Sequence, residues 1–544
     1  MFLDADNWEV AQSEDEGRSV TYYRTKTAVS KYAKVSTTVD FNKLYVQSRG
    51  HTYTSSLNLF ADASLRAVIS LPSTSALTLH ILERPAFTFP RLSQTPKSTL
   101  NPTGHPYGMP ALTAFQDGWR AWDFVTLGML PASMLHSKPI DLRHKPLFYI
   151  GHLPTFLNLL LTKYLGEPPV APARFPAIFE RGIDPHVDDP EYCHNHSEVP
   201  EKDEDWPALP EVLAYRDRVR ARLAKVYEEL ERGERALTRR LARTLVMVLE
   251  HDGFHIETLL YMLIQRAGTG ILPPPGFATP PWRALAEQWD AIPAPATPYL
   301  EVGPCTLLMG HNDQEPDDLV TALSGAVAGH TFGWDNESPR RAVELKGFRV
   351  EWRPITNGEF LAFFQGPGKG RVAFPPSWIE EQGETKVRTL YGSVPMDVAR
   401  QWPVLTAHDD LAAYARWKGG RIPTEAELRV FLDMYQVTYE DGANTGFRAW
   451  HPMPATAGGP ENCGRGSNGG VWEWTSTLFD EHEGFAGTTI FPGYSSDFFD
   501  QKHQVVLGAS YATIPRLGDR YTVRNFYQHN YPYPWVGARV AYDL

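Results

Sequence analysis

Between Leu241 and Met262 an apolar side recurs at steps of three and four, and two of its members are histidines. Leu241, Leu245, Val248, His251, His255, Leu259 and Met262 share one face of a helix, because such steps return to the same side at 3.6 residues per turn. This helix, predicted from about Arg235 to Arg266, must bury that face against others. One partner is predicted over 209–231, where Leu213, Val219, Leu223, Val226 and Leu230 line up. Two or more further helices are predicted between Leu112 and Leu165. Four such helices are what an up-and-down bundle needs.

The histidines point where apolar residues would point, into that bundle. Four residues apart, they can ligate one metal from successive turns, or they can be core histidines bonded to backbone or carboxylate. A third, His152, lies in PLFYIGHLPTFLNLLL, predicted to open another apolar helix with Pro154 in its first turn. Three neutral imidazoles on one side of a metal leave its other side open, as catalytic sites require. Asp252 or Glu257 could orient a ligand ring through its second nitrogen. Imidazole suits iron, zinc or copper, so the residues alone do not choose the metal. A zincin-type peptidase would need Glu directly after the first histidine; here Asp252 stands there, and no third-ligand signature follows.

At 544 residues the chain exceeds one hydrophobic core, so two to four domains are expected. Pro-rich stretches divide it into 1–92, a linker at 93–111, the helical segment 112–270, a linker at 271–298, and 299–544. The last segment reads as short strands and turns, with helices near 410–417 and 424–434, the second opened by a Thr424/Glu427 capping box. A net charge of −12 argues against nucleic acid as a partner. Three scattered cysteines (Cys193, Cys305, Cys463) make no disulfide framework. The acidic N-terminus lacks signal-peptide character, and the longest apolar run, near Phe156–Leu161, is too short to span a bilayer. A soluble, cytoplasmic protein is expected.

Several blocks, in order, resemble the sulfoxide synthases of ergothioneine biosynthesis, of the fungal type in which a methyltransferase precedes the synthase. They are PIDLRHKPLFYIGHLPTFL, FERGIDPHVDDPEYCHNHSEVP, LEHDGFHIETLLYML and the C-terminal run from FPGYSSDFFD to VGARVAYD. FGWDNESPRR, RPITNGEF, GGRIPTEAEL and NGGVWEWTST carry marks of a sulfatase-modifying-factor domain. The resemblance implies a multidomain α+β fold: a DinB-like four-helix bundle, then a C-type-lectin-like domain closing over it. It implies Fe(2+) on His152, His251 and His255, with O2 as co-substrate, joining a thiol (cysteine or γ-glutamylcysteine) to hercynine.

By the same resemblance Arg524, Asn525 and Phe526 meet the substrate. Asn525 holds the methylated histidine, and Phe526 stands where the family usually has the Trp that packs on the quaternary ammonium. Arg181, His194 or His196 could meet the amino-acid carboxylate. Phe254 replaces a Gln frequent in bacterial members, and Tyr511 a Trp. The family's catalytic tyrosine falls at Phe491, with Tyr494 three residues on, so thiol oxidation could compete with sulfoxide formation. Residues 1–92 resemble the end of a histidine methyltransferase domain, a truncated α/β remnant. No methyl transfer is expected without the nucleotide-binding half, which either the gene lacks or the sequence omits. Alternatives are an ovothiol-type synthase, a formylglycine-generating activity (which needs paired cysteines, whereas Cys463 stands alone), and an inactive small-molecule-binding paralogue.

Overall fold

The segment between the two Pro-rich stretches folds into α1 (Leu112–Thr126), α2 (Pro146–Leu165), short α3 (Phe175–Phe179), α4 (Leu209–Glu231) and α5 (Arg239–Ile264). The computed structural model describes residues 89–544 except 185, 190–193, 195, 267–270, 272, 274–278, 293–294, 296 and 457–464. It also describes the backbone of six strands before them. These are β1 (Trp8–Asp15), β2 (Arg18–Thr25), β3 (Ala33–Ser36), β4 (Lys43–Arg49), β5 (Arg66–Thr74) and β6 (Leu77–Glu83), antiparallel in the order β1-β2-β3-β4-β6-β5. The side chains behind the methyltransferase resemblance, and Cys193 and Cys463, lie outside the described residues.

The expected helix over 209–231 is α4, whose Val212, Tyr215, Val219, Leu223, Val226 and Leu230 are buried. α5 begins where Thr238 accepts a hydrogen bond from the amide of Leu241 at 3.2 Å, capping a free N–H of the first turn. α2 packs against α4 and α5, and α1 against α5. One expectation is corrected here. α2 starts at Pro146, so Pro154 is an interior residue rather than part of the first turn. Burial of every residue from Pro146 to Asn158 holds the helix through a proline that cannot donate to the Ile150 carbonyl. Two glycines set the spacing of this half. A Cβ on Gly151 would lie 2.6 Å from the Phe179 ring, and one on Gly253 would lie 2.5 Å from Ile514. Bare backbone thus lets α3 close on α2, and the C-terminal half close on α5.

After α6 (Trp282–Asp290) the chain changes character. Strands β7 (Tyr299–Val302), β8 (Cys305–Met309), β9 (Arg341–Leu345) and β10 (Phe348–Glu351) precede α7 (Asn357–Gln365). The hairpins of β11 (Trp378–Glu381), β12 (Glu384–Thr389) and β13 (Gly392–Pro395) lead into α8 (Met396–Ala399), α9 (His408–Trp417) and α10 (Glu425–Tyr435). Then come β14 (Trp472–Leu478), β15 (His503–Gly508), α11 (Pro515–Gly518), β16 (Asn525–Gln528), β17 (Val536–Gly537) and β18 (Ala541–Asp543). The largest sheet here runs β16-β15-β14-β17, antiparallel except for the β14–β17 pair. Thr424 and Glu427 form the anticipated capping box of α10. Buried Trp378, Trp402, Trp450, Trp472 and Trp474 fill the space between these short elements.

The stretch read as the first linker is docked against the C-terminal half. Arg516 donates to the carbonyls of Pro106, Tyr107 and Gly108 at 2.7, 2.8 and 3.0 Å. Proline leaves such a segment rich in unpaired carbonyls, and a guanidinium with several donors satisfies three at once.

α5 docks the C-terminal half through two buried acids. Glu250 receives Arg516 Nε at 2.8 Å, Arg520 and the Trp334 indole at 2.9 Å, while Arg520 also binds Glu337 at 2.8 Å. Seven residues on, Glu257 accepts only neutral donors, the Trp472 indole and the Thr513 hydroxyl, both at 2.7 Å. A third contact is a guanidinium cluster, with Arg239 and Arg243 on Asp313 and Asp318.

Candidate metal centre and its cavity

The structure brings His152 of α2 together with His251 and His255 of α5: one ring nitrogen from each lies within 4.8 Å of the others. His152 Nε2 and His255 Nε2 are 3.2 Å apart, close to the roughly 3.3 Å edge between two nitrogens 2.0–2.1 Å from one tetrahedral ion. His152 Nδ1 stands 2.6 Å from the Phe179 carbonyl. A carbonyl only accepts, so Nδ1 carries the proton and Nε2 presents its lone pair inward. Phe148 stacks on His152 and Phe156 on His251, the second at 3.7 Å between centroids.

Burial drives the basicity of all three rings down: His152 to about 4, and His251 and His255 well below the ordinary histidine value, lowered further by the neighbouring imidazoles. Neutral, convergent imidazoles are the state a divalent cation requires. The Nδ1 atoms of His251 and His255 are buried without a hydrogen-bond partner. The residues therefore fit a bound metal. Glu257 does not orient a ligand ring, since both its oxygens are engaged by Trp472 and Thr513 across the domain interface. Asp252 lies 3.6 Å from His251 Nδ1, beyond hydrogen-bond range, and burial raises its carboxyl well above the usual range.

The open side of the triad faces a cavity of about 240 Å³ walled by both halves of the molecule. Asn525, Phe526, Arg181, Phe491 and Tyr494 all line it, whereas Arg524 does not. The Arg524 guanidinium is bound by Glu425 at 2.8 and 3.1 Å and lies over Phe479, which holds it outside the cavity lining. Its position beside Asn525 suggests the cavity; its partner places it in the support. Phe526 stacks on Phe479 at 4.0 Å, and its neighbour Asn525 approaches the Tyr527 hydroxyl at 3.5 Å.

Phe491 packs edge-on against Phe156, the ring that covers His251, and Arg181 lies over it while paired with Asp497. Tyr494 is stacked on Trp334 at 4.0 Å, and burial raises its hydroxyl pKa well above the usual range. His194 and His196 are not among the cavity residues, and His196 is exposed. Sequence reasoning missed Arg143, which donates to the Ile183 carbonyl at 2.8 Å and to Tyr531 at 3.2 Å and pairs with Asp184. It also missed the cavity tyrosines Tyr149, Tyr261, Tyr527 and Tyr531. Arg143 sits nine residues before His152 in the first family-like block, the one signal that could have found it.

The helical bundle with its inward histidines matches a DinB superfamily domain over 114–259, and the aromatic-rich half that roofs it matches a sulfatase-modifying factor enzyme 1-like domain over 306–544. Ergothioneine biosynthesis protein 1 of Neurospora crassa is 35% identical over 92% of this chain and 64% of its own length. The protein of that name from Schizosaccharomyces pombe is 36% identical over 79% of this chain and 56% of its own. Hercynine oxygenase of Mycobacterium tuberculosis is 29% identical over 55% and 71%. The chain thus spans roughly three fifths of the length of the two fungal relatives and resembles them over most of its own length.

Proposed function

We propose that this chain joins the sulfur of cysteine to the imidazole ring of hercynine, using ferrous iron on His152, His251 and His255 and dioxygen. The observation that carries the reading is the convergence of three neutral imidazoles at the floor of a cavity whose roof holds Asn525 and Phe526. The reaction balances: the imidazole C–H and thiol S–H bonds break, a C–S bond forms and sulfur becomes a sulfoxide. That is four electrons, taken by one dioxygen whose second oxygen leaves as water. Bound iron would supply the one-electron chemistry with dioxygen and acidify the thiol.

The chain's own residues bind and orient. Asn525 offers its amide to the imidazole or carboxylate of hercynine, and the Phe526 ring offers a face or edge to the quaternary ammonium. Arg181, held by Asp497 at the cavity wall, meets the carboxylate of the thiol substrate. Holding the two reactants side by side can supply about 7–11 kcal/mol of a barrier. A reducing, cytoplasmic setting accords with a free Cys305 and with the absence, among the described residues, of any helix long and apolar enough to cross a membrane. The segment 1–92 is read as the end of a methyltransferase domain; the Neurospora match, covering 92% of this chain, extends into it.

The test is anaerobic loading with iron, then hercynine, cysteine and oxygen, with products read by mass spectrometry. Hercynylcysteine sulfoxide with oxygen uptake is expected; iron binding without either would overturn the reading. One observation favours a second outcome at the same site. Phe491, which packs on the ring covering His251, has no hydroxyl where the resembling enzymes have tyrosine, so cysteine sulfinate is expected beside the sulfoxide. Phe491→Tyr should shift the ratio toward sulfoxide.

A further inference from the structure

A second group of ligating side chains lies behind the cavity wall. Among the described residues, one ring nitrogen each of His186 and His194 and a carboxylate oxygen of Asp500 lie within 4.8 Å of one another. His186 and His194 belong to the segment between α3 and α4, and Asp500 to the loop entering β15, so the group bridges the two halves of the molecule.

The spacing is that of ligands rather than of an ion pair. His186 Nε2 is 3.4 Å from Asp500 Oδ2, long for a charge-assisted hydrogen bond but equal, within its precision, to the roughly 3.3 Å ligand edge of a tetrahedral zinc ion. The two imidazole centroids are 5.6 Å apart with planes tilted at 49°, so the rings are not stacked. Asp500 is held in place by its neighbours: Oδ1 accepts from the Lys502 amide at 2.9 Å, and the His503 ring nitrogen lies 2.9 Å from Oδ1 and 3.1 Å from Oδ2. The nearby Lys502 ammonium is turned to Asp188 at 3.6 Å. Two imidazoles and one anchored carboxylate form a donor set suited to zinc, with one position left for water.

We propose that His186, His194 and Asp500 hold a second, structural divalent cation of the zinc class. Its place in the fold gives it a task. The segment that supplies two of its ligands also supplies Arg181 and Asp184 to the cavity wall, and the loop that supplies the third carries Phe498 and His503 of the same wall. One ion at this point fastens the helical half's loop to the C-terminal half without touching the reacting atoms.

The experiment uses the full chain with His251→Ala and His255→Ala, which empties the first site. This protein is loaded with zinc, desalted and analysed for metal, and separately titrated with cobalt. One retained zinc per chain is expected, with visible cobalt bands of a four-coordinate site. The same additional equivalent is expected in the iron-loaded wild type. Adding His194→Ala should abolish retention, while His196→Ala, an exposed neighbour, should leave it unchanged. Absence of retained zinc and of cobalt bands in the double variant overturns the proposal without any change to the second site. So does retention that survives His194→Ala.

Discussion

Glu250 and Glu257 sit two turns apart on the same helix, are both buried and both reach into the C-terminal half, yet their acidities are shifted in opposite directions. Burial would raise both carboxyls, but Arg520 and Arg516 bring Glu250 below its ordinary value, whereas burial raises Glu257, whose partners Ser510, Thr513 and Trp472 are neutral. Between them lie the two histidines that face the cavity. The contrast teaches how one helix docks a domain through two kinds of contact: guanidinium pairs on the acid before His251 and neutral donors on the acid after His255. The two docking points differ in strength for the same reason, since a buried charge stripped of its partner is far costlier than a lost neutral hydrogen bond.

The largest expected effect concerns the face between the acids. His251→Ala should bring metal retention and product formation to background, while shifting the unfolding midpoint of the metal-free protein less than Glu250→Gln does. A comparable loss of stability would mean that the imidazole face also holds the fold. Glu250→Gln leaves buried Arg516 with carbonyl partners only and Arg520 with Glu337 as its remaining carboxylate, and should cost about 3 kcal/mol in denaturant unfolding at neutral pH, the low end for a broken buried pair. Glu257→Gln keeps an oxygen for the Trp472 indole and turns the second contact round, its amide N–H donating to the Thr513 hydroxyl, and should cost less than about 1 kcal/mol. Equal costs would break the comparison.

The smallest effect is the most diagnostic, and it is one of sign. Glu250, depressed in the fold, contributes stability that is present above the ordinary glutamate value of 4.5 and lost as pH falls through its folded value. Glu257, raised in the fold, contributes stability that is full below 4.5 and lost as pH rises through its folded value. In metal-free protein the penalty of Glu250→Gln should therefore shrink on acidification from neutrality. The penalty of Glu257→Gln should shrink, or reverse, in the other direction. Unfolding curves at pH 4 and pH 7 for the two variants decide it; parallel trends would show that the two acids share one charge state.

Much of the helical half was legible because helical periodicity is local. The stripe from Leu241 to Met262 marked α5, the spacing over 209–231 marked α4 to the residue, and the Thr424/Glu427 pair marked the start of α10. Histidines where leucines belong marked the candidate site before any geometry. Pro154 misled, since proline ordinarily signals a first turn and only burial on all sides sustains it in mid-helix. Arg524 misled for a different reason: it adjoins Asn525, but its buried partner Glu425, 99 residues away in sequence, holds it out of the cavity.

By itself the sequence determined which residues face inward along each helix and which chemistry those residues can do, because both follow from side-chain type and from spacing within a few turns. Only the tertiary structure decided which distant groups meet. Glu257 finds Trp472 215 residues away, His152 finds His255 103 residues away, and Asp500 stands opposite His186. The second of these is fixed by the packing of α2 on α5, and the other two by the closure of one half of the molecule on the other. The steric gap at Gly253 that allows this closure is visible only once Ile514 is seen filling it.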